Sequence, residues 1–523
     1  MGRSIDQDEF GEQDYSQFRD RLDECLATLG RLLERPGFGV GSSTIGAELE
    51  LVLVDDLGQP LPLNKAIHAA LADPRVTFEL HRFNLELNAS PVQLAGRPFT
   101  ELGKELTMLL DRVATAASDR AGRPALIGIL PTLRRDHLTP DMMTESPRYR
   151  ALSRGLRRMR QGPFQIKIMG DDPLHLASSD VGLEGANTSF QVHLRVNPSD
   201  FARVHNAVQL ATVPVLAVSG NSPTFLGHRL WEETRIALYK QSVDDRPGVG
   251  PRRRLSRTAL GTGWLRGGAL DLFLEGVRLH EPVLPVLGEQ DPAGAQLDPP
   301  PLDELRLHQS TVWRWNRAIF DPAAGGHLRI EMRALPAGPT MIDMLANAAF
   351  LIGLSLSLAA QDDHWTYAMP FERADDGFYR AAQYGLAAQL SWPAGGRDRI
   401  RTLPAPQLVA ELIPAAMQGL LTAGVVSAEA ERMLEVISQR AAAGQTGAVW
   451  QRATLANLER GRDRHHALAE MFGRYLQHAD TAQPVHTWPI GDWQDSGLSA
   501  LADKSEWPCL SRWWSMHAEL AVI

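Results

Sequence analysis

The sequence predicts an α+β fold: an antiparallel sheet with packed helices, followed by a helical C-terminal region. Three observations lead there. Four segments alternate apolar and polar residues with a period of two, as half-buried strands do. Amphipathic stretches with helical spacing lie between them. After about Asp363 the pattern changes to long helical stretches with no convincing strand. The expected division is therefore a mixed body over residues 1–362 and a helical region over residues 363–523.

Residues 15–34 read as an amphipathic helix, with Phe18, Leu22, Leu26, Leu29 and Leu32 near helical spacing. Strand-like segments are expected at 44–54 and 77–89, a helix at 98–117 and a short apolar strand at 125–130. Ser146-Pro147 opens a further helix as N-cap and first helical residue. That helix carries Arg154, Arg157, Arg158 and Arg160, read as a solvated basic face with nucleotide phosphate as the alternative contact. A strand at 189–196 and a helix at 200–211 follow, then the loop Ser219-Gly220-Asn221-Ser222-Pro223. Residues 288–301 read as a loop, 327–335 as a strand and 341–359 as an apolar helix. Later helices are expected at 408–423, 427–441 and 448–476, before a tail rich in tryptophan (Trp488, Trp493, Trp507, Trp513, Trp514).

The chain has 523 residues, of which 44% are hydrophobic, enough to bury a sizeable core. A net charge of −9 offers no basic field for a nucleic-acid backbone. The two cysteines, Cys25 and Cys509, lack metal spacing and argue against a disulfide framework, which fits a reducing compartment. Cys25 falls on the apolar side of its helix and reads as a core residue. The first residues are acidic, without the apolar run of a secretory signal. Residues 346–360 are too short for a membrane span and read as a buried core helix. The expectation is a soluble, cytoplasmic protein acting on small molecules, with no nucleic-acid or membrane partner and its oligomeric state open.

Each of the four strands has a polar face. Glu48 and Glu50 share one face of their strand, opposite Ile45, Ala47, Leu49 and Leu51. Asn84, Glu86 and Asn88 oppose Phe83, Leu85 and Leu87, with Glu79 upstream on a segment of the same kind. Ser189, Gln191, His193 and Arg195 form a third face; His327, Arg329, Glu331 and Arg333 form a fourth. A solvated face is the ordinary reading of any one such strand. Two glutamates side by side, however, repel one another unless a cation lies between them. Carboxylates on a concave sheet suit Mg²⁺, which favours carboxylates, waters and phosphate oxygens.

At these residues the chain resembles the glutamate–cysteine ligase family, plant-type and bacterial, within the glutamine synthetase-like superfamily of carboxylate–amine ligases. Gly46-Ala47-Glu48-Leu49-Glu50 is similar to the family's first metal-binding strand. Phe83 to Pro91 is similar to its Glu-Leu-Ser-Gly-Ala-Pro strand, and Ser189-Phe190-Gln191-Val192-His193 to its central strand. Ala217 to Pro223, followed by Arg235, is similar to its Ala-Asn-Ser-Pro loop and downstream arginine. Arg329-Ile330-Glu331-Met332-Arg333 is similar to the Glu-x-Arg strand shared with glutamine synthetase. The motifs occur in the family's order over about residues 44–360.

The resemblance implies a curved antiparallel sheet of the glutamine synthetase catalytic type, with residues 1–362 as the ligase catalytic domain. It implies Mg²⁺ (or Mn²⁺) on Glu48, Glu50, Glu79, Glu86, Gln191 and Glu331, with either Gln191 or His193 approaching the metal side. Arg333, beside Glu331, would act catalytically on transferring phosphate oxygens, and Gln191 would share the nucleotide side with it. Arg235 would bind a substrate carboxylate, with His193, Asn221 and Ser222 at the substrate pocket; a plain turn is the alternative for Asn221-Ser222-Pro223. The implied reaction is formation of γ-glutamylcysteine from glutamate, cysteine and ATP through an acyl phosphate, a step of glutathione biosynthesis. Rival readings are a ligase with a different amine acceptor and a non-catalytic nucleotide-binding homologue. No Walker A element is present; Gly261 to Gly268 is glycine-rich but lacks the Lys-Ser/Thr pair, and reads as a flexible loop able to cover the site.

Overall fold

The computed structural model describes residues 5–247, 255–290, 297–361, 364–394 and 400–491. Cys509, Trp493, Trp507, Trp513 and Trp514, part of the expected loop 288–301 and the division at residues 362–363 lie outside the described residues.

The chain opens with α1 (Glu12–Glu34) and β1 (Thr44–Asp55). Next come α2 (Asn64–Leu71), the hairpin β2 (Val76–Phe78) and β3 (Asn84–Asn88), β4 (Val92–Gln93), α3 (Pro98–Ser118) and β5 (Gly122–Ala125). Then α4 (Pro147–Arg160) leads into a separate hairpin, β6 (Phe164–Ile168) with β7 (Leu174–Ser178), and β8 (Phe190–Val196) returns to the main sheet. After α5 (Phe201–Ser219) come the small hairpin β9 (Thr224–Phe225) with β10 (His228–Arg229), and the helices α6 (Thr234–Ser242), α7 (Ala269–Leu279) and α8 (Asp303–Gln309). β11 (Asn316–Asp321) and β12 (His327–Met332) close the sheet, and α9 (Met341–Ala359) follows. The rest is α10 (His364–Ala368), α11 (Phe371–Tyr384), the hairpin β13 (Gln389–Pro393) with β14 (Ile400–Pro404), α12 (Ala405–Thr422), α13 (Ser427–Ala443), α14 (Gly447–Leu458) and α15 (Arg464–Asp480).

The main sheet is a strongly curled antiparallel half-barrel with strand order β11-β12-β8-β1-β3-β2; β4 and β5 also pair with β1. Its register aligns the polar alternates of different strands, because residues directly opposite one another share a face. Glu48 lies opposite Asn88 on one side and Gln191 on the other. Glu50 lies opposite Glu86, and Glu331 between His193 and Arg317. The other face carries Ile45, Ala47, Leu49, Leu85, Leu87, Val192, Leu194, Leu328 and Ile330, all buried in one core with α3, α5 and α9.

Residues 198–219 and α9 are long and apolar enough to cross a membrane, yet 89% and 83% of their apolar windows are buried inside the protein. They are core helices, as expected for α9. The late helices α12 and α13 share the same core, and the buried Arg440 of α13 bonds Asp343 and Asn347 of α9 at 2.7 and 2.6 Å. A second core lies beyond Glu50: Val52 and Val54 of β1 cluster with Ile127, Ile129, Met471 and Phe472. The C-terminal helices thus close one end of the sheet.

Several expectations change. Residues 77–89 form two strands of a hairpin instead of one, since residues 79–83 turn the chain back. The apolar run 125–130 is in the sheet only at its start; Ile127, Ile129 and Leu130 serve the second core, an alternative that a short continuous apolar run leaves open. The region after residue 363 does contain strands, β13 and β14. The stretch 448–476 is two helices, because Asp463 caps α15 by accepting from the backbone of His465 and His466. Of the basic residues on α4, Arg154 pairs with Asp8 and Glu9 at the surface. Arg160 is buried and held by Asp244 and the Arg246 carbonyl, so it is no part of a solvated face.

Candidate active site in the curl of the sheet

The polar face of the sheet opens into a cavity of about 550 Å³, with Glu48, Glu50, Glu86, Gln191, Glu331 and Arg333 on its floor. A second cavity of about 360 Å³ adjoins it on the β11–β12 side, and Ser310, Arg317 and Glu331 line both. Glu331 thus stands where the two spaces meet.

Two groups of ligand-type side chains meet at this floor; all of their members line the cavity except His193, which is buried behind it and does not reach the substrate space. Glu50, Glu79 and Glu86 form one, and Glu48, His193 and Glu331 the other; in each, one ligand atom per residue lies within 4.8 Å of the rest. Glu79 sits in the connection from β2 to β3, and the hairpin turns it towards the two strand glutamates. The first group is a set of buried, crowded carboxylates whose charge Arg333 offsets only in part. Burial, then the charges of Glu86, Glu50 and Glu184, push Glu79 well above the usual carboxylate range. Burial and Glu48 push Glu86 up to about 7. Burial raises Glu50 despite Arg333 nearby and the Ser189 amide, which donates to it at 2.7 Å. A divalent cation relieves all three effects, and a carboxylate trio is the donor set that a hard cation takes. The residues present therefore fit Mg²⁺ or Mn²⁺.

In the second group, His193 Nε2 lies 3.2 Å from Glu48 and 3.9 Å from Glu331. Nδ1 of the ring is buried and has no hydrogen-bond partner. Burial would raise Glu48, but the adjacent imidazole pulls it down to about 2. Glu331 is held well below the usual range: burial is outweighed by Arg317, Arg333 and His193. Arg317 grips Glu331 with two bonds, 2.7 and 3.0 Å, and Arg333 adds a third at 3.0 Å.

Gln191 takes a different place from its neighbours. Its amide nitrogen donates to Glu50 at 3.0 Å, and its carbonyl oxygen accepts from Arg333 at 2.5 Å. The side chain thus orients Arg333 against Glu50, and His193, not Gln191, faces the second ligand group. Arg235, on α6, lines the cavity while bonded to Glu233 at 2.5 Å and to the Ala334 carbonyl at 2.7 Å. Asn221 and Ser222 do not reach the cavity. Both are fully buried. Asn221 donates to Ala337 and Tyr475 and accepts from Gln451; Ser222 donates to Glu233, the residue that holds Arg235. Their placement corrects the expectation of substrate contact: they shape the loop behind Arg235. The glycine-rich stretch 261–268 also stays away, pinned by Asn206 to Leu265 N and by Trp264 to the Met369 carbonyl, and lines neither cavity.

Sequence reading missed Arg317, Arg148, Glu184 and the aromatic residues Tyr149, Tyr239, Trp313 and Trp315, all of which line the larger cavity. For Arg317 a signal existed: a strand antiparallel to β12 must supply a partner opposite Glu331, and Asn316–Asp321 is the segment preceding the turn. Glu184 opens a single 3-10 turn, Glu184–Ala186, too short for periodicity to carry information.

The chain matches the family model described as Glutamate-cysteine ligase family 2 (GCS2) over residues 44–472. Among solved structures it is similar to a glutamate–cysteine ligase (gshA) from Francisella tularensis in complex with AMP, with a TM-score of 0.53 and 12% identity over 92% of this chain and 94% of that one. It is also similar to a bifunctional glutathione synthetase from Pasteurella multocida, with a TM-score of 0.48 and 11% identity over 87% of this chain and 53% of that one. Comparison with curated proteins returns no match. The fold is that of the glutamine synthetase-like ligases, as the family resemblance implies.

Proposed function

The chain belongs to glutamate–cysteine ligase family 2, and from that premise we propose that it is an ATP-dependent carboxylate–amine ligase that joins the γ-carboxylate of glutamate to the amino group of cysteine. The observation that carries the reading is the pair of ligand groups and two arginines gathered around Glu331, at the junction of two cavities. A ligase of this kind needs one space for a nucleotide, one for the amino acids, and positive charge between them.

In this reading the smaller cavity takes the nucleotide and the larger one the amino acids. Glu50, Glu79 and Glu86 would hold one Mg²⁺ or Mn²⁺, and Glu48, His193 and Glu331 another; bound there, the ions would supply charge that offsets the phosphates. Arg333, oriented by Gln191 and Glu331, stabilises charge on the transferring phosphoryl group. Arg317 fixes Glu331 and brings a second guanidinium to the same junction. Arg235, braced by Glu233, binds a carboxylate of the donor amino acid. Phosphorylation makes the inert carboxylate an acyl phosphate, which the amine then attacks. The catalytic unit is residues 1–362, and the helices after residue 363 brace it through the two cores.

A different acceptor amine is the second reading. The aromatic wall of Tyr149, Tyr239, Trp313 and Trp315 favours it, since such a wall suits a body larger than a thiol side chain. Retention of both ligand groups argues against a non-catalytic homologue. The deciding experiment measures ADP release with Mg²⁺, ATP and glutamate across a panel of amines, with hydroxylamine included to trap acyl phosphate. ADP release that requires glutamate and cysteine supports the first reading; release with another amine supports the second. No amine-dependent release and no trapped hydroxamate would sink both.

A further inference from the structure

Two carboxylates lining the larger cavity belong to neither ligand group: Glu145, which is exposed and paired with Lys65, and Glu184. Glu184 lies just before β8, half-buried, and lines the cavity together with Tyr149, Tyr239, Trp313 and Trp315. Its backbone is held on several sides. The Glu184 amide donates to Val181 O at 2.9 Å, the Asn187 side chain donates to the Glu184 carbonyl at 2.7 Å, and Asp180 accepts from Gly182 N at 2.7 Å. The next residue, Gly185, packs so closely on His81 that a Cβ would come within 2.0 Å of its ring. The loop therefore fixes the backbone from which the Glu184 side chain enters the cavity wall.

The titratable groups close enough to act on its charge are Glu50 on β1, Glu79 after β2, Tyr149 on α4, Tyr239 on α6 and Arg333 after β12. Tyr239 donates its phenol to the carboxylate. The Tyr239 ring lies 6.2 Å from that of Trp313 and 5.9 Å from that of Trp315. An acid beside aromatic rings suits a cationic amine, which gains an ion pair and a face of π-density while losing water. The position of this carboxylate, in the cavity wall and bonded by Tyr239, is that of a base for an ammonium seated against the rings.

We propose that Glu184 receives the amino group of the acceptor and takes its proton as that nitrogen attacks. This rests on the ligase reading above and adds the residue which makes the amine a nucleophile. The acceptor enters as an ammonium group. Glu184 removes one proton and leaves the nitrogen lone pair free. That pair forms the C–N bond at the acyl phosphate carbon, and the C–O bond to phosphate breaks with its electrons going to the departing phosphate. The nitrogen's second proton leaves to solvent, giving the neutral amide. The body of the acceptor lies against Tyr149, Tyr239 and Trp313.

The test compares wild type with Glu184→Gln and Glu184→Asp in two assays containing Mg²⁺, ATP and glutamate. One traps acyl phosphate with hydroxylamine, a neutral nucleophile that needs no base. The other uses the best amine from the acceptor panel. Glu184→Gln should keep hydroxamate formation within about twofold and lose amine ligation by about a hundredfold. Its residual ligation should climb with pH as the free amine fraction grows, and Glu184→Asp should recover part of the loss. Equal losses in both assays, or none in either, would overturn the assignment. Wild type that forms no hydroxamate would overturn the ligase reading itself, and the assignment with it.

Discussion

Arg317 of β11 stands directly opposite Glu331 of β12 and holds its carboxylate by two hydrogen bonds, 2.7 Å from Nε and 3.0 Å from Nη2. Glu331 is buried and central to the site, so this pair sets both its charge and its direction. Arg317→Ala should leave a buried carboxylate with less compensation and cost about 3 kcal/mol of stability, read as a shift in urea midpoint. Ligase activity should fall by about a hundredfold, and Arg317→Lys should recover little of it, because an ammonium cannot make the two-pronged contact.

The carboxylate trio predicts a cation-dependent change. Manganese titration calorimetry of wild type should show binding that Glu50→Gln weakens by about tenfold or more, at least the loss seen when a partner of a metal ligand is removed. Glu50→Gln should not weaken folding of the metal-free protein, because it removes one of three mutually repelling charges. Unchanged manganese affinity in this variant would remove Glu50 from the ligand set.

Asn221 and Arg235 separate shape from contact. Asn221→Ala deletes buried hydrogen bonds to Ala337, Tyr475 and Gln451 and should cost about 1–3 kcal/mol, with the KM for glutamate nearly unchanged at a temperature where the variant is folded. Arg235→Ala should do the reverse in emphasis and raise that KM strongly. A large KM effect from Asn221→Ala would return that residue to the substrate site.

Two histidines set an acid limit to stability. Burial lowers His205 and His308 to about 4, and each keeps a single backbone partner, Asn316 O and Gly276 O respectively. Unfolded, they take up protons near pH 6.5, so between about pH 6.5 and 4 the unfolded state binds more protons and stability falls as pH falls. The loss is on the order of 3 kcal/mol per histidine at the acid end. His308→Gln keeps a donor for the Gly276 carbonyl and should flatten the dependence of Tm on pH over that window. An unaltered slope would show that His308 does not titrate on unfolding.

The legible part of the site is the part that depends on local geometry. Glu48 and Glu50 share a face because successive strand residues point to opposite sides, and the same rule brought Glu86, Gln191, His193, Glu331 and Arg333 into consideration. It could not choose between Gln191 and His193, which have the same parity. Nor could it reach Glu184, which lies in a single 3-10 turn outside any strand, or recognise that Asn221 is covered by Gln451 and Tyr475 from helices more than two hundred residues away in sequence.

The sequence by itself determined which residues each strand offers to the polar face, the order of the family's motifs and the burial of the long apolar helix α9. Tertiary structure alone decided which offers meet. The register of β8 against β12 placed His193 beside Glu331, a hairpin turned Glu79 towards Glu50 and Glu86, and the curl of the sheet brought both groups into one cleft. The physical reason is that side-chain direction follows from the backbone of a few consecutive residues, whereas register and curl are settled by packing between segments far apart in the chain.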